Sequence, residues 1–326
     1  MKLDGQRVLV TGASGFLGRN LCHRLVEHGA EVHGTSRIQQ FDDFIRWHRT
    51  DWSSLEQIRH TLSSVRPDVV INLAGHVSAL PDAALVKLTF DSLLSMTVNL
   101  LLASTEVGVR RLITVGSIEE PDTLHDAPTS PYGAAKAAAT LYCKMFYELY
   151  RTPVVVLRPS LTFGPRQNDQ KLLPYVIRCA VEGRSPTLSS GNRLADWTYI
   201  DDVTDGFLAA ITATDIEGMT FEIGTGHLRT TRSMVEELLG ILGNSVTPSF
   251  GVVPDRPGEK PRATLTAAAS KHLGWSAVTP LSDALRWTAD WYVARFNANT
   301  SSKLKTFCSM LLSVVGAFNF CLTGDT

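Results

Sequence analysis

The chain has few cysteines and almost no excess of charge of either sign. Its 326 residues include 5 cysteines, and no two of them form a Cys-x-x-Cys pair. A disulfide framework and a structural metal site are therefore not expected, and a reducing, cytoplasmic location fits this composition. The formal net charge of -1 gives no reason to expect a nucleic-acid partner or an anionic membrane surface.

One stretch near the end of the chain, Thr306–Gly324, carries no charge and approaches the length of a membrane span. It also contains Ser, Thr, Asn and Gly, so its hydrophobicity is moderate, whereas membrane spans are usually rich in Leu, Ile and Val. We therefore expect residues 301–326 to form a docked or disordered tail of unknown role, and we expect no membrane association.

Short apolar runs alternate with amphipathic stretches through the first half of the chain. The predicted strands are Arg7–Val10, Glu31–Gly34, Val69–Leu73, Leu112–Val115 and Val154–Leu157. The predicted helices between them are Leu17–His28, Leu55–Val65, Leu85–Val107 and Tyr132–Tyr150. This alternation predicts an α/β fold with a doubly wound parallel sheet and right-handed crossovers.

After Arg158, proline and glycine become frequent and the predicted helices, Ser233–Leu242 and Leu281–Phe296, are interleaved with loops. This change indicates a smaller C-terminal α/β lobe that closes over the first domain. We therefore assign residues 1–160 to the first domain and residues 161–300 to a substrate-binding lobe. Some segments of the second are expected to return to the first sheet.

A glycine-rich turn follows the first predicted strand directly. In Thr11-Gly-Ala-Ser-Gly-Phe-Leu-Gly18, Gly12 permits a tight turn, Gly15 lets the backbone approach a pyrophosphate, and Gly18 lets the helix pack close to the strand. The backbone of Ser14, Phe16 and Leu17 completes this turn, and the helix N-terminus faces the anion. The context of strand, turn and helix predicts a Rossmann domain that binds a dinucleotide.

The TGxxGxxG spacing resembles the short-chain dehydrogenase/reductase superfamily. The Gly15-Phe-Leu-Gly18 form is similar to its extended branch of nucleotide-sugar epimerases, dehydratases and ketoreductases. The resemblance implies further cofactor contacts, at Asp51, Trp52, Leu73, Ala74, Gly75 and Pro159. Dimers are common in this family, so the resemblance also implies a homodimer formed through the Leu85–Val107 and Tyr132–Tyr150 helices.

The end of the second strand bears on the choice of nicotinamide cofactor. NAD-binding relatives usually carry an Asp there, but this strand ends in Ser36 and Arg37. A guanidinium binds a 2′-phosphate through charge-assisted hydrogen bonds, so NADP(H) is favoured over NAD(H). The alternative is that Arg37 is a solvated loop cation or stacks on adenine without discriminating between the two.

Three residues match the family's proton-transfer set. Tyr132 and Lys136 are four residues apart, so they share one helix face, and a nearby ammonium is expected to lower the phenol pKa. Ser117, at the end of a strand, is expected to hydrogen-bond the same substrate oxygen as Tyr132. Thr114 is the competing hydroxyl, but it lies within the strand.

Glu119 and several arginines are the candidate substrate contacts. Glu119 stands where dehydratases carry a Glu, but their preceding Asp is Ile118 here, so Glu119 is either catalytic or a structural hydrogen-bonding residue. By resemblance, Phe163, Arg166, Arg193 and Arg256 contact the substrate, and the three arginines are candidate diphosphate ligands or solvated surface residues. Leu161, Ala195 and Pro121 depart from the family's pattern.

These features favour an oxidoreductase acting on a nucleoside-diphosphate sugar, above all an NADPH-dependent reductase of a 4-keto-6-deoxy-sugar with Tyr132 as proton donor. The alternatives are an epimerase or dehydratase that retains its nicotinamide, a reductase of a non-sugar ketone, and a non-catalytic dinucleotide-binding scaffold. The missing Asp after Ser117 argues against a dehydratase. The altered arginine positions keep the small-ketone alternative open.

Overall fold

The computed structural model describes residues 2–38, 40, 43–121, 126–258 and 260–298. The uncharged stretch Thr306–Gly324, which we expect to be a tail, lies outside these residues. The described chain forms a larger lobe built on a parallel sheet and a smaller lobe packed on the carboxyl ends of its strands.

Seven parallel strands form the sheet of the larger lobe. They are β1 Arg7–Thr11, β2 Glu31–Ser36, β3 Arg46–Arg49, β4 Val69–Asn72, β5 Arg111–Val115, β6 Val154–Pro159 and β9 Thr220–Ile223. Their order is β3-β2-β1-β4-β5-β6-β9. Val8, Leu9 and Val10 of β1 are all fully shielded from solvent, because helices cover both faces of the sheet. The doubly wound α/β fold predicted from the sequence is confirmed.

Ten helices connect and cover the strands in the described chain. They are α1 Phe16–Glu27, α2 Leu55–Val65, α3 Val86–Thr89, α4 Met96–Val107, α5 Pro131–Tyr150, α6 Leu172–Val181, α7 Ile200–Thr212, α8 Thr231–Ile241, α9 Ala267–Leu273 and α10, residues 281–298. The start of α5 positions the site. The Ser130 hydroxyl accepts a hydrogen bond from the Gly133 N–H at 3.1 Å, and Pro131 has no N–H to leave unpaired. This cap places Tyr132 in the first turn of α5.

The predicted helix Leu85–Val107 is not a uniform α-helix. A wide π-helical turn, Phe90–Ser95, separates α3 from α4. It carries Leu93 against Gly75 so closely that a Cβ on Gly75 would lie 2.2 Å from the Leu93 side chain. Turns of this kind often occur at functional sites, and Leu93 lines the central cavity described below.

The smaller lobe contains a three-stranded sheet of order β10-β8-β7, with β7 Leu161–Phe163, β8 Leu194–Tyr199 and β10 Leu228–Thr230. Helices α6, α8 and α10 share one apolar core with this sheet. The segment Ile200–Ile223 leaves the lobe, because α7 packs on α1 and β9 pairs with β6. The predicted bounds of the two domains stay a prediction, and this segment is the part of residues 161–300 that packs on the larger lobe.

Residues Ala83–Val107 are long and apolar enough, by length and composition, to cross a membrane, with a mean hydropathy of 1.4. Core helices of soluble proteins meet the same criteria, so this property alone does not indicate a membrane. In the structure, α4 packs between α2 and α5. The absence of membrane association remains a prediction.

Candidate active site

A cavity of about 860 Å³ lies between the carboxyl ends of the larger sheet's strands and the smaller lobe. We call it the central cavity. The predicted site residues that line it are Gly12, Gly15, Phe16, Leu17, Gly18, Leu73, Ala74, Gly75, Ser117, Glu119, Tyr132, Lys136, Pro159, Arg193 and Arg256. The predicted residues outside its lining are Ser14, Ser36, Arg37, Asp51, Trp52, Phe163 and Arg166.

The glycine turn has the geometry of a pyrophosphate site. Gly12 has a φ of 65°, and a Cβ on it would lie 2.9 Å from the backbone of Leu73 and Ala74. A Cβ on Gly18 would lie 2.1 Å from the carbonyl oxygen of Gly12. Helix α1 follows Gly15 without a side-chain cap, so its first amides and the positive end of its dipole face the central cavity. These residues fit a dinucleotide.

Thr11 holds the backbone beneath the glycine turn in place. Its hydroxyl accepts hydrogen bonds from the backbone N–H groups of Leu73 at 3.1 Å and Ala74 at 3.0 Å, and it donates to Oδ1 of Asn72 at 2.8 Å. It therefore joins the carboxyl ends of β1 and β4, beneath the glycine turn. The sequence analysis quoted Thr11 within the motif but gave it no role.

The residues predicted to select the cofactor lie at the ends of β2 and β3. Ser36 ends β2, and the exposed Arg37 follows it. Hydrogen bonds from Ser53 lower the pKa of Asp51, and the charge of Arg37 adds to this effect. Trp52 is buried, and its indole N–H donates to the Thr35 hydroxyl at 2.9 Å. The side chain of Trp52 therefore supports the strands rather than facing the cavity.

Ser117, Tyr132 and Lys136 converge in the central cavity as predicted. The Ser117 side chain lies close enough to the Tyr132 phenol to act on its pKa. The Lys136 ammonium donates to the carbonyl oxygen of Val115 at 2.6 Å and lies 5.9 Å from the centre of the Tyr132 ring. All three side chains are buried, although each residue lines the cavity. A hydroxyl pair beside a buried cation can transfer a proton to or from a substrate oxygen.

The charges of this set differ from the sequence expectation. Burial is the main cause that raises the pKa of Tyr132 to about 12; the side chain of Ser117 opposes this rise, and the negative charges of Glu120 and Glu119 contribute to it. Burial also lowers the pKa of Lys136 to about 8. The predicted lowering of the phenol pKa is therefore wrong, because desolvation raises it, and Tyr132 is protonated at neutral pH.

Glu120, which the sequence analysis did not select, holds the turn Ser117–Glu120. We call this segment the catalytic turn. Oε1 of Glu120 accepts the Ser117 N–H at 2.8 Å, and its other oxygen pairs with Arg158 on β6. Arg262 donates to the carbonyl oxygens of Ile118 at 2.8 Å and Glu120 at 2.7 Å. The side chain of Glu120 is 0% exposed. Its ion pair with Arg158 therefore holds a buried carboxylate against the backbone N–H of Ser117.

Glu119 points the other way, towards the substrate lobe. Its Oε1 lies 3.3 Å from Nη2 of Arg193 and 3.3 Å from Nη2 of Arg256. Two of the three arginines predicted as diphosphate ligands thus meet at one carboxylate on the cavity wall. The Glu119 N–H donates to the Ser117 hydroxyl at 3.0 Å, so this carboxylate also belongs to the catalytic turn.

Phe163 and Arg166 are not brought to the cavity. Phe163 is 1% exposed, and its ring packs edge-on against Trp197 and Tyr199 in the core of the smaller lobe. Arg166 is exposed and directed at Asn20 of α1, 3.5 Å away. The structure thus gives neither residue the predicted substrate contact. Within the described residues, no group of three or more His, Cys, Asp or Glu side chains is placed to hold a metal ion.

A family model connects this geometry to known proteins. Residues 8–224 match the NAD dependent epimerase/dehydratase family. The chain belongs to this family. The match covers the glycine turn, the catalytic turn and the Tyr132–Lys136 pair, which are the features described above.

Three similar proteins illustrate the range of the family. A UDP-glucose 4-epimerase from Mycolicibacterium smegmatis is 26% identical, covering 88% of this chain and 98% of that protein. The dTDP-D-glucose 4,6-dehydratase of Mus musculus is 25% identical, covering 93% of each. A UDP-glucuronic acid 4-epimerase variant from Bacillus cereus, solved with a fluorinated UDP-sugar and NAD, is 25% identical over 88% of this chain and 99% of that one, with a TM-score of 0.80.

These relatives bear on the choice among the functions considered in the sequence analysis. Their names are those of epimerases and dehydratases, and none of the three is a 4-keto-sugar reductase. The comparisons therefore favour the alternative of an epimerase or dehydratase over the reductase that the sequence favours. They support a dinucleotide cofactor, but they give no support to NADP(H) in preference to NAD(H).

Proposed function

We propose that this protein is an NAD(P)-dependent epimerase of a nucleoside-diphosphate sugar. The observation that carries the proposal is one continuous cavity. It runs from the glycine turn, past the hydroxyls of Ser117 and Tyr132, to Arg193 and Arg256. A dinucleotide and a sugar diphosphate would fill its two ends, with the sugar held between them at the hydroxyl pair.

Each residue of the pair has a distinct task. The bound nicotinamide would accept a hydride from a sugar carbon and return it to the opposite face. Tyr132 exchanges the proton of the sugar oxygen, and Ser117 donates a hydrogen bond to the same oxygen. Lys136 places a positive charge near the phenol, which favours the phenolate needed to accept a proton. With its pKa of about 12, Tyr132 is ready to donate a proton when a keto-sugar is reduced.

The catalytic turn favours epimerisation over dehydration. Elimination of water needs an acid and a base beside the sugar, and the position after Ser117 is the apolar Ile118. Glu119 could serve as the base, but the acid that dehydratases carry before it is absent, and Glu120 is buried in its ion pair with Arg158. Oxidation and re-reduction at one carbon would need the hydroxyl pair, a nicotinamide to hold the hydride and a sugar able to turn in its site.

A second candidate is an NADPH-dependent reductase of a 4-keto-6-deoxy-sugar. The exposed Arg37 at the end of β2 favours it, because a guanidinium there suits the 2′-phosphate of NADP(H). A reductase consumes the reduced cofactor, whereas an epimerase retains its cofactor. Mass spectrometry of the gently purified protein therefore separates the two, since retained NAD supports the epimerase.

We also propose that two copies associate through helices α3 to α5. Large apolar side chains are exposed there, namely Val86, Phe90, Leu141, Leu149 and Tyr150. An exposed apolar surface of this extent often marks an interface. Light scattering of the purified protein tests this, and a monomer at micromolar concentration would contradict it.

The proposed substrate class is tested by thermal stabilisation. UDP, GDP and dTDP are added separately to the protein, because a ligand of the folded state raises its melting temperature. Stabilisation by one of them, together with conversion of the matching sugar nucleotide to a stereoisomer, is the expected result. Stabilisation by none, together with reduction of small apolar ketones, would instead support the non-sugar ketone reductase. Dinucleotide binding without any turnover would support the scaffold.

A further inference from the structure

Two arginines of the central cavity, Arg193 and Arg256, contact the same carboxylate. Arg193 precedes β8, Arg256 lies between α8 and α9, and both contact the same oxygen of Glu119 at 3.3 Å. Charge-assisted hydrogen bonds are usually shorter, about 2.7–2.9 Å. The shared contact is therefore long for its type, and an incoming anion can replace it.

Other contacts hold the backbone near the two arginines in place. The carbonyl oxygen of Arg193 accepts the N–H of Thr231 at 2.8 Å. The carboxylate of Asp255, next to Arg256, accepts the N–H of Ser190 at 3.0 Å. These contacts fix the backbone at Arg193 and beside Arg256, and a substitution of Glu119 leaves them in place.

The charge and the exposure of these side chains also fit replacement of Glu119 by an incoming anion. Two guanidinium groups contact a single carboxylate oxygen here. The side chains of Arg193, Arg256 and Glu119 are 32%, 20% and 24% exposed, and all three line the central cavity. A diphosphate brings more negative charge and more acceptor oxygens than one carboxylate does. It therefore matches the arginine pair better.

Resting on the proposed function, we infer that Glu119 stands in for the substrate's diphosphate and is displaced when the diphosphate binds. Glu119 is then a positioning residue with two effects. It lowers the affinity of the arginine pair for anions, because its own ion pairs must be broken. It also links diphosphate binding to Ser117, because the Glu119 N–H donates to the Ser117 hydroxyl.

The test compares the wild type with Glu119→Gln. Calorimetry measures the affinity for inorganic pyrophosphate, which carries the relevant chemistry whatever the base. Partly exposed ion pairs contribute about 0.2–1 kcal/mol each, so losing two of them should tighten binding about tenfold. For the sugar nucleotide that is turned over, KM should fall, whereas kcat should change less, because the substitution keeps the Glu119 backbone N–H that donates to the Ser117 hydroxyl. Glu119→Asp, which keeps the charge, should shift affinity back towards the wild type.

Two control variants make the result specific. Asp126→Asn removes one charge at the cavity wall, where Asp126 pairs with Lys260 at 3.9 Å, and it should tighten pyrophosphate binding much less. The double variant Arg193→Gln/Arg256→Gln should weaken pyrophosphate binding. Adding Glu119→Gln to this double variant should then leave the pyrophosphate affinity unchanged. Pyrophosphate binding at the glycine turn should not respond to the two arginine substitutions, so it can be distinguished from binding at Arg193 and Arg256.

Unchanged or weaker pyrophosphate binding in Glu119→Gln would overturn the inference, as would equal tightening in Asp126→Asn. These failures are distinct from failure of the proposed function. If sugar nucleotides are epimerised but Glu119→Gln does not tighten binding, the inference alone is wrong. If Glu119→Gln tightens pyrophosphate binding but no sugar nucleotide binds or reacts, the proposed function alone is wrong.

Discussion

The two adjacent glutamates of the catalytic turn should respond very differently to the same substitution. Glu120 is fully buried, pairs with Arg158 and accepts the Ser117 N–H, whereas Glu119 is 24% exposed. Removing one partner of a buried ion pair costs about 3–5 kcal/mol. Glu120→Gln keeps the shape and an acceptor oxygen, so we expect the lower end, about 3 kcal/mol.

At roughly 2 °C per kcal/mol for a chain of this size, Glu120→Gln should lower the melting temperature by about 6 °C. Glu119→Gln makes the same change of charge one residue away. It loses only partly exposed contacts, so its melting temperature should change by about 2 °C or less. Circular dichroism melting curves of the wild type and both variants, recorded side by side, measure the difference.

A further variant tests whether the buried charge is the cause. Glu120→Gln/Arg158→Gln removes both charges and leaves a neutral hydrogen-bonding pair, so it should recover part of the lost stability. The reasoning would be refuted if Glu120→Gln melted within about 1 °C of the wild type. It would also be refuted if both glutamate variants lost the same stability.

Four other changes test the rest of the site. Tyr132→Phe should lower kcat by roughly 10²–10⁴-fold in steady-state assays without changing the melting temperature, and a smaller loss would mean that another group transfers the proton. Gly18→Ala places a Cβ 2.1 Å from the carbonyl oxygen of Gly12, so dinucleotide binding followed by fluorescence should be lost. Burial lowers the pKa of Lys136 from 10.5 to about 8. The buried charge therefore destabilises the folded protein fully below pH 8, and this destabilisation decreases as the pH rises and is lost above pH 10.5. Lys136→Met should therefore be more stable than the wild type in urea titrations at pH 7, by an amount that shrinks towards pH 10, and a pH-independent difference would contradict this. Arg37→Ala should reduce the preference for NADPH over NADH about tenfold in binding titrations, and an unchanged ratio would mean that Arg37 does not contact a 2′-phosphate.

Local spacing is what made part of this site predictable. The glycines at 12, 15 and 18 and the Tyr132–Lys136 pair are fixed by one turn and one helix, so a short window of sequence contains the whole geometry. The alternation of strands and helices similarly predicted the sheet, because the hydrophobic pattern of each element is visible within about a dozen residues.

The remaining features depend on partners that are distant in sequence. Glu119 and Glu120 are indistinguishable in the sequence, and Glu120 becomes the buried one because Arg158, 38 residues away, meets it beneath the turn. Phe163 resembles a substrate contact by position, but its pairing with Trp197 and Tyr199 buries it. The π-helical turn Phe90–Ser95 was not predicted either, and it brings Leu93 against Gly75, which is 18 residues earlier in the chain.

The central claim is that the hydroxyl pair of Ser117 and Tyr132 transfers a proton while hydride leaves and returns to one sugar carbon. The most direct measurement is NMR of UDP-, GDP- and dTDP-sugars deuterated at that carbon, each incubated with the protein and no added reductant. The account predicts a stereoisomer that keeps its deuterium at the same carbon, formed by the wild type and not by Tyr132→Phe. Loss of the deuterium to solvent, or equal turnover by Tyr132→Phe, would contradict it.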